Sequence, residues 1–350
     1  MLPLPNHRED AHLVGTPRRV PPVGGANLAN AGLVWDKFVN GWSMNGNQEF
    51  GLHALNGGKG DWVGKFCGGG HGNESHLKAQ CGRVRDLALF TAKSSLAAEP
   101  AEHPRTLTLT SRLVTGLGLT HPVENGFAWH HTLGVPYLPG SGVKGMMRAW
   151  ATLWCGPEEA GDIVHLFGNE VNSPARMGAL IVFDALPVAP VQLVHEVVTP
   201  HDGGWRLKGP VVNEKTGIVL SPGDWHDPVP SPFLAVDIGA QFQFALGLTR
   251  RGKAGDLELG YELLTGALEW VGAGAKTATG FGRFEDKSKV FARNRKVAVA
   301  ENAGGKLAGR QGHIIADVPL NGLWKVKLGD PEAPGATEAY VAAANLTFRD

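Results

Sequence analysis

Cysteine is scarce: the 350 residues hold three, too few for a disulfide framework. A reducing cytoplasm is the expected setting. Neither sign of charge is in surplus, since 33 Lys and Arg balance 33 Asp and Glu. Whole-chain charge therefore does not argue for nucleic acid, and any basic surface must be local. Apolar runs long enough for a transmembrane helix are missing. Residues 1–10 lack a basic start followed by an apolar core, so no signal peptide is expected. No Gly-x-Ser-x-Gly elbow occurs and no paired-carboxylate constellation stands out.

Glycine is in excess, at 49 of 350 residues, about twice its usual share. It follows no triplet period, which excludes collagen. Many loops must either turn tightly or let something approach the backbone. The length fits one large domain or two ordinary ones, and 43% apolar residues suffice for a sizeable core.

Residues 1–26 read as an extended arm. Asn27 to Trp42 is expected to be helical, with Leu28, Ala31, Trp35 and Phe38 on one side. Residues 43–82 read as glycine-dense loop, and 83–98 as a short helix. The loop holds Cys67, His71, His76 and Cys81, spaced C-x3-H-x4-H-x4-C. Two thiolates and two imidazoles could bind zinc tetrahedrally, although the spacing does not match a zinc knuckle. The competing reading is an unliganded polar loop.

Arg105 to Thr115 alternates Leu107, Leu109 and Leu113 with Thr108 and Thr110, as a strand does. An aromatic, glycine-rich loop then leads into a helix from Ser141 to Trp154. Ser141 is the expected N-cap, and Val143, Met147, Trp150 and Trp154 form its apolar face. Lys144 and Arg148 share a neighbouring face. The N–H groups of Gly142, Val143 and Lys144 would suit a phosphate. Ala179 to Phe183 and Gln192 to Thr199 read as strands. Residues 200–232, rich in proline, read as an insertion, and Phe233 to Thr249 as one strand. Asp256 is expected to cap a helix that Gly272 ends.

Gly272 to Phe284 follows as a glycine loop. It is not a phosphate-binding P-loop, because Trp270 and Ala275 stand where that motif needs glycine. Its backbone could still meet a phosphate, flanked by Lys276 and Arg283. His130 and His131 are adjacent, so on extended chain they point to opposite faces and would not serve one acid–base site together.

The strand and helix order from Arg105 to Phe284 predicts an α+β, ferredoxin-like fold with an antiparallel sheet. Residues 1–104 form an N-terminal arm and helical or loop extension. Residues 105–286 form the core with the insertion at 200–232, and residues 287–350 form a basic linker and a small β appendage. The linker cations are Lys287, Lys289, Arg293, Arg295 and Lys296.

The segment from Gly126 to Gly145 resembles the RAMP superfamily of CRISPR-associated proteins. Within it, the closest resemblance is to the sixth-subunit family of the type III-B (Cmr) effector complex. Gly272 to Phe284 looks like that family's C-terminal glycine-rich loop. Val197 to His201, Asp227 to Leu234 and Asn30 to Phe38 resemble its other signatures. The resemblance covers roughly residues 27–286; the appendage and the Cys67–Cys81 loop fall outside its pattern.

The resemblance implies an RRM-like, non-catalytic subunit of an antiviral ribonucleoprotein. It would bind the 3′ part of the guide RNA and cap the backbone of related RAMP subunits. The complex would capture complementary target RNA, with a small helical subunit and a large polymerase-like subunit beside it. The expected RNA contacts are Ser141, Gly142, Lys144, Arg148, Lys276, Thr277 and Arg283, with His130, His131 and His201 as weaker candidates. No cofactor and no membrane are expected. The alternative is a metal-independent CRISPR RNA-processing endoribonuclease using His130 or His131.

Overall fold

The structure is a computed structural model. It describes residues 30–37, 39, 43–44, 50–51, 58–93, 104–154, 160–169, 176–201, 205, 209–212, 217, 219–220, 223–286, 296–300, 307–315, 323–329, 337–342 and 345–348. The chain divides into two compact units, residues 1–285 and 286–350.

The first unit opens with helix α1 (Ala31–Lys37). Its cap is Asn30, whose side-chain oxygen accepts the Leu33 N–H at 3.0 Å. The rest of the expected Asn27–Trp42 helix lies largely outside the described residues. The glycine-dense stretch read as loop holds helix α2 (Gly58–Gly64), strand β1 (Gly68–His71) and the start of helix α3 (Glu74–Lys93). Helix α3 is thus twenty residues long and begins well before the expected residue 83. Asn73 caps it, accepting the His76 N–H at 3.1 Å. Its buried face is Leu77, Cys81, Ala88 and Ala92. Such small side chains leave only a faint apolar period, which hides the helix.

The Cys67, His71, His76 and Cys81 set does not converge. The Cys67 thiol donates to the Val63 carbonyl at 3.6 Å, His71 Nε2 to the Phe66 carbonyl at 2.7 Å, and the Cys81 thiol to the Pro187 carbonyl at 3.8 Å. His76 is exposed on the first turn of α3. Burial raises both thiol pKa values, which disfavours the thiolates zinc requires. Among the described residues, no group of three such side chains could hold a metal. Among the same residues, no helix is long and apolar enough to cross a membrane.

The central elements follow as β2 (Arg105–Leu109), α4 (Gly140–Trp154), α5 (Ala160–Phe167), β3 (Leu180–Val182) and β4 (Leu186–Pro187). Then come β5 (Val191–Val198), β6 (Ser231–Val236), β7 (Gln241–Phe244), β8 (Leu246–Leu248), α6 (Asp256–Trp270) and β9 (Phe284–Glu285). An antiparallel sheet runs β9-β2-β7-β4. Counted along the chain this order is fourth, first, third, second, with a helix after the first and third strands. That is the split β-α-β connectivity. Strand β8 continues from β7 and pairs with β3. A second antiparallel sheet runs β6-β5-β1.

The run expected as one strand from Phe233 to Thr249 is broken. Gly239, at φ 87°, turns the chain between β6 and β7, so the two strands belong to different sheets. Within the insertion, Val211–Val212 pairs with Val219–Leu220 as a short hairpin. Asp256 is not the N-cap but the first helical residue, after Gly255. Its carboxylate accepts the Lys253 N–H at 2.8 Å and bonds His165 Nε2 at 2.7 Å. Gly272 follows α6 in the left-handed region at φ 80°, the conformation a helix-ending glycine adopts.

An aromatic cluster joins the N-terminal extension to the core. Trp35 stacks on His121 with ring centroids 4.5 Å apart and meets Phe66 edge-on at 4.9 Å. His121 uses both ring nitrogens: Nε2 donates to the Trp35 carbonyl at 3.0 Å, and Nδ1 accepts the Val123 N–H at 3.3 Å. Protonating Nδ1 would break the second bond. His71 buries Nδ1 without a hydrogen-bond partner. Burial holds both imidazoles below their ordinary 6.5. The unfolded chain therefore takes up protons first, and this stability, complete above pH 6.5, is lost as pH falls through the lowered values. The unfolding free energy from urea titration is expected to drop as pH falls below 6.5, by up to about 1.4 kcal/mol per pH unit for each histidine. His121→Phe should flatten that slope; an unchanged slope would contradict the assignment.

The second unit is an antiparallel five-stranded sheet. Its strands are β10 (Lys296–Val299), β11 (Gln311–Ile314), β12 (Leu323–Leu328), β13 (Thr337–Ala342) and β14 (Leu346–Phe348), in the order β13-β12-β11-β10-β14. Val297, Val299, Ile314, Val326, Leu328, Val341 and Leu346 form its own core. Of the expected basic linker, residues 287–295 lie outside the described residues.

Candidate nucleic-acid interface

The glycine loop after α6 is pinned to the chain that continues β2. Ala275 N–H donates to the Val114 carbonyl at 2.7 Å, and Gly282 N–H to the Arg112 carbonyl at 2.8 Å. Between them Lys276 sits at φ 58°, an uncommon conformation for a residue with a Cβ. The loop lies so close to its neighbour that a Cβ at Gly274, itself at φ 85°, would stand 2.1 Å from the Val114 oxygen. Phe281 packs near Phe233 of β6, with ring centroids 6.3 Å apart, and the Lys276 ammonium lies 5.3 Å from the same Phe233 ring. Cation and aromatic thus hold one another on the loop's outer side.

Helix α4 starts differently from the expectation. Its N-cap residue is Pro139, whose carbonyl accepts the Gly142 and Val143 N–H groups at 2.9 and 3.1 Å. Ser141 is exposed inside the first turn. The capping side chain is Asp184, which accepts the Gly140 N–H at 2.7 Å. The positive end of the helix therefore already faces a carboxylate. A Cβ at Gly140 would lie 2.3 Å from the Val182 oxygen, so only glycine lets the helix start against β3.

These two segments close a cleft of about 450 Å³. Gly142, Val143 and Met146 line one side, and Val271 to Ala275 with Thr277 line another. The third side is Thr115 to Gly118, a segment the sequence reading did not single out. Its signal was present in Gly116-x-Gly118 directly after a strand. No lining residue carries a charge. The cleft offers backbone, the Thr277 hydroxyl and apolar walls, a surface that can meet a phosphodiester chain without reading its bases.

Of the expected contacts, Gly142 and Thr277 line the cleft, and Ser141, Lys276 and Arg283 belong to the two segments that form it. Arg283 turns its guanidinium toward the Glu269 and Thr277 carbonyls, at 3.4 and 3.5 Å. Lys144 does not join them. Its ammonium donates to the Leu180 carbonyl of β3 at 2.7 Å, and burial, then nearby Arg148, lower its pKa. Arg148 is half-buried one turn further along.

The histidines lie apart from the cleft lining. His130 Nδ1 accepts the Leu133 N–H at 3.3 Å and contacts the Thr132 hydroxyl at 3.2 Å. Burial lowers the His130 pKa; the Asp184 charge opposes that and His131 adds to it. His131 is exposed, and its carbonyl accepts from the Asn30 side chain at 2.8 Å. His201 Nδ1 donates to the His226 carbonyl at 2.9 Å within the insertion.

The sequence model of the RAMP superfamily matches residues 106–285. The CRISPR system Cmr subunit Cmr6 of Pyrococcus furiosus is 28% identical over 234 residues, covering 49% of this chain and 64% of that protein. The match thus spans less than two thirds of that relative's length. Among solved structures, a chain of a type III-B Cmr-beta complex bound to cognate target RNA is 18% identical. That alignment covers 65% of this chain and 70% of the other, with a TM-score of 0.45. The crystal structure of Cmr6 from Pyrococcus furiosus is 25% identical, covering 52% and 96% of the two chains, with a TM-score of 0.30. The superfamily match takes in β2 to β9, both crossover helices and all three walls of the cleft, over more than half of the chain. This chain belongs to the RAMP superfamily.

Proposed function

We propose that the chain is a non-catalytic, RNA-binding subunit of a type III-B CRISPR effector ribonucleoprotein, built on a ferredoxin-like core. It holds the 3′ part of the guide RNA in the cytoplasm and caps the backbone formed by related RAMP subunits. Complementary target RNA, the small helical subunit and the large polymerase-like subunit are its other partners. The observation that carries this reading is the closure of one cleft by the two glycine segments bearing the superfamily resemblance. Similarity to a Cmr subunit supports the assembly. A guide of variable sequence needs contacts of the kind the cleft offers, to backbone rather than bases.

In this reading Ser141, Gly142 and Thr277 meet the strand, with Lys276 and Arg283 beside them. Lys144 and Arg148 support α4 from behind. The nuclease reading has less behind it. His130 spends Nδ1 on its own turn, and His131 is exposed.

The test is Gly142→Glu. A Cβ at Gly142 meets nothing within 4 Å, so the side chain fits. Glutamate at the third helical position also favours the helix. The variant should therefore melt no lower than the parent while losing about tenfold in affinity for single-stranded RNA, as one misplaced charge does at a phosphate contact. Affinity equal to the parent's, measured by fluorescence anisotropy, would remove the cleft from the RNA path. Lys144→Ala serves as the contrast, since it should lower the melting temperature and leave the salt dependence of binding unchanged.

A further inference from the structure

The superfamily match ends at residue 285, and the second unit begins at residue 286. Its sheet has one face packed inward and one left to solvent. The inward residues alternate with a different set along the same strands. Lys296 of β10 pairs with His313 of β11, His313 with Lys327 of β12, and Lys327 with Glu338 of β13. Paired residues share a face, so Lys296, His313 and Lys327 form a row across three strands. At a strand spacing of about 4.8 Å this row is about 10 Å long. Two residues along β12, Lys325 pairs with Tyr340, which is 50% exposed. One acid, Glu338, stands at the end of the row; it forms an ion pair with Lys325 at 2.7 Å. The charge of the whole unit agrees: residues 286–350 contain ten Lys and Arg against seven Asp and Glu.

We propose that this outer face, with Tyr340 beside Lys325 and Lys327 and with Lys296 two strands beyond β12, is a second contact surface for single-stranded RNA. A sheet face carrying several lysines offers the phosphates of a strand cations to follow. An exposed aromatic ring standing among them gives a base a surface to stack on, as sheet-face aromatics do in RNA-binding modules. An acidic protein surface would use the cations but not the ring. The inference does not depend on the cleft, because every residue in it belongs to the second unit.

The experiment uses the full chain and a fluorescein-labelled oligouridylate about 30 nucleotides long, long enough to reach more than one site. Lys296→Glu/Lys327→Glu should weaken binding about tenfold and flatten the log–log salt slope by about 1.4, the value for two phosphate contacts on a single strand. Tyr340→Ala should weaken binding about fivefold with the slope unchanged, as loss of one stacked base does. Parent-like affinity and slope in the double variant would overturn the proposal. So would unchanged RNA binding combined with loss of self-association, or of association with an acidic protein, in sedimentation. If the glutamates impair folding, Lys296→Gln/Lys327→Gln gives the same readout. The Gly142→Glu chain, measured in parallel, separates this face from the cleft: either site can fail while the other stands.

Discussion

Gly274→Val is expected to destabilise the first unit by about 3 kcal/mol or more and to abolish most RNA binding. The new Cβ would lie 2.1 Å from the Val114 oxygen and 3.0 Å from Leu113 Cδ1. The backbone there is at φ 85°, a conformation in which a β-branched residue is a genuine outlier. Strain of this kind costs roughly 1–3 kcal/mol. The collision also separates Ala275 N–H from the Val114 carbonyl, and a buried hydrogen bond contributes roughly 1 kcal/mol. Losing it frees the loop from the chain that continues β2, so one wall of the cleft goes with it. For a unit of this size the melting temperature should fall by roughly 6–12 °C. Gly280→Val is the control. Gly280 also has a positive φ, 92°, but a Cβ there meets nothing within 4 Å. It should therefore show strain without collision and lose about half as much. Equal losses at the two positions would show that the close approach at Gly274 contributes nothing.

Phe242→Ala should have the largest effect on stability alone. Phe242 is fully buried in β7, paired with Leu107 of β2 on one side and Pro187 of β4 on the other. Its ring meets Phe284 edge-on at 5.8 Å, and Phe244 meets Phe284 at 5.3 Å. Phe284 ends the glycine loop and opens β9, so these two rings clamp the loop's far end to the sheet. Removing a buried phenyl ring costs about 3–5 kcal/mol, through lost transfer free energy and the cavity left behind. Hydrogen exchange should then rise first across Gly272 to Glu285, because β9 is two residues long and pairs on one side only. The half-exposed neighbour Gln243 provides the comparison; Gln243→Ala gives up one bond to the Cys81 carbonyl and should cost about 1 kcal/mol. A Phe242→Ala loss no larger than that, or unchanged exchange in the loop, would contradict the clamp.

The helix of small residues shows why part of the fold was hard to read. Strand β7 was legible because Phe242 and Phe244 alternate with glutamines, and α6 because large apolar residues recur until a glycine ends it. Helix α3 buries Leu77, Cys81, Ala88 and Ala92, and two alanines and a cysteine barely raise an apolar period. Its Asn73 cap was the available signal. The same segment shows how spacing alone misleads. Cys67, His71, His76 and Cys81 are evenly spread along the chain, yet Cys67, His71 and Cys81 bond three different carbonyls and His76 is exposed on α3.

The candidate site divides along the same line. Glycines that permit close backbone approach are a local property, so Gly272 to Phe284 and the stretch through Pro139 and Gly140 could be recognised by residue type and order, and superfamily membership with them. Which polar groups fill the α4 terminus, and which cations reach the cleft, depended on residues far away in the chain. Asp184, 44 residues beyond Gly140, took the capping role assigned to Ser141. The Leu180 carbonyl, 36 residues beyond Lys144, took its ammonium. Both outcomes follow from β3 and the turn after it packing against the start of α4. A buried carbonyl or N–H that lacks a partner costs more than an exposed cation gains, so the nearest side chain able to satisfy it is drawn inward. That pairing is made in three dimensions, and no spacing in the sequence encodes it.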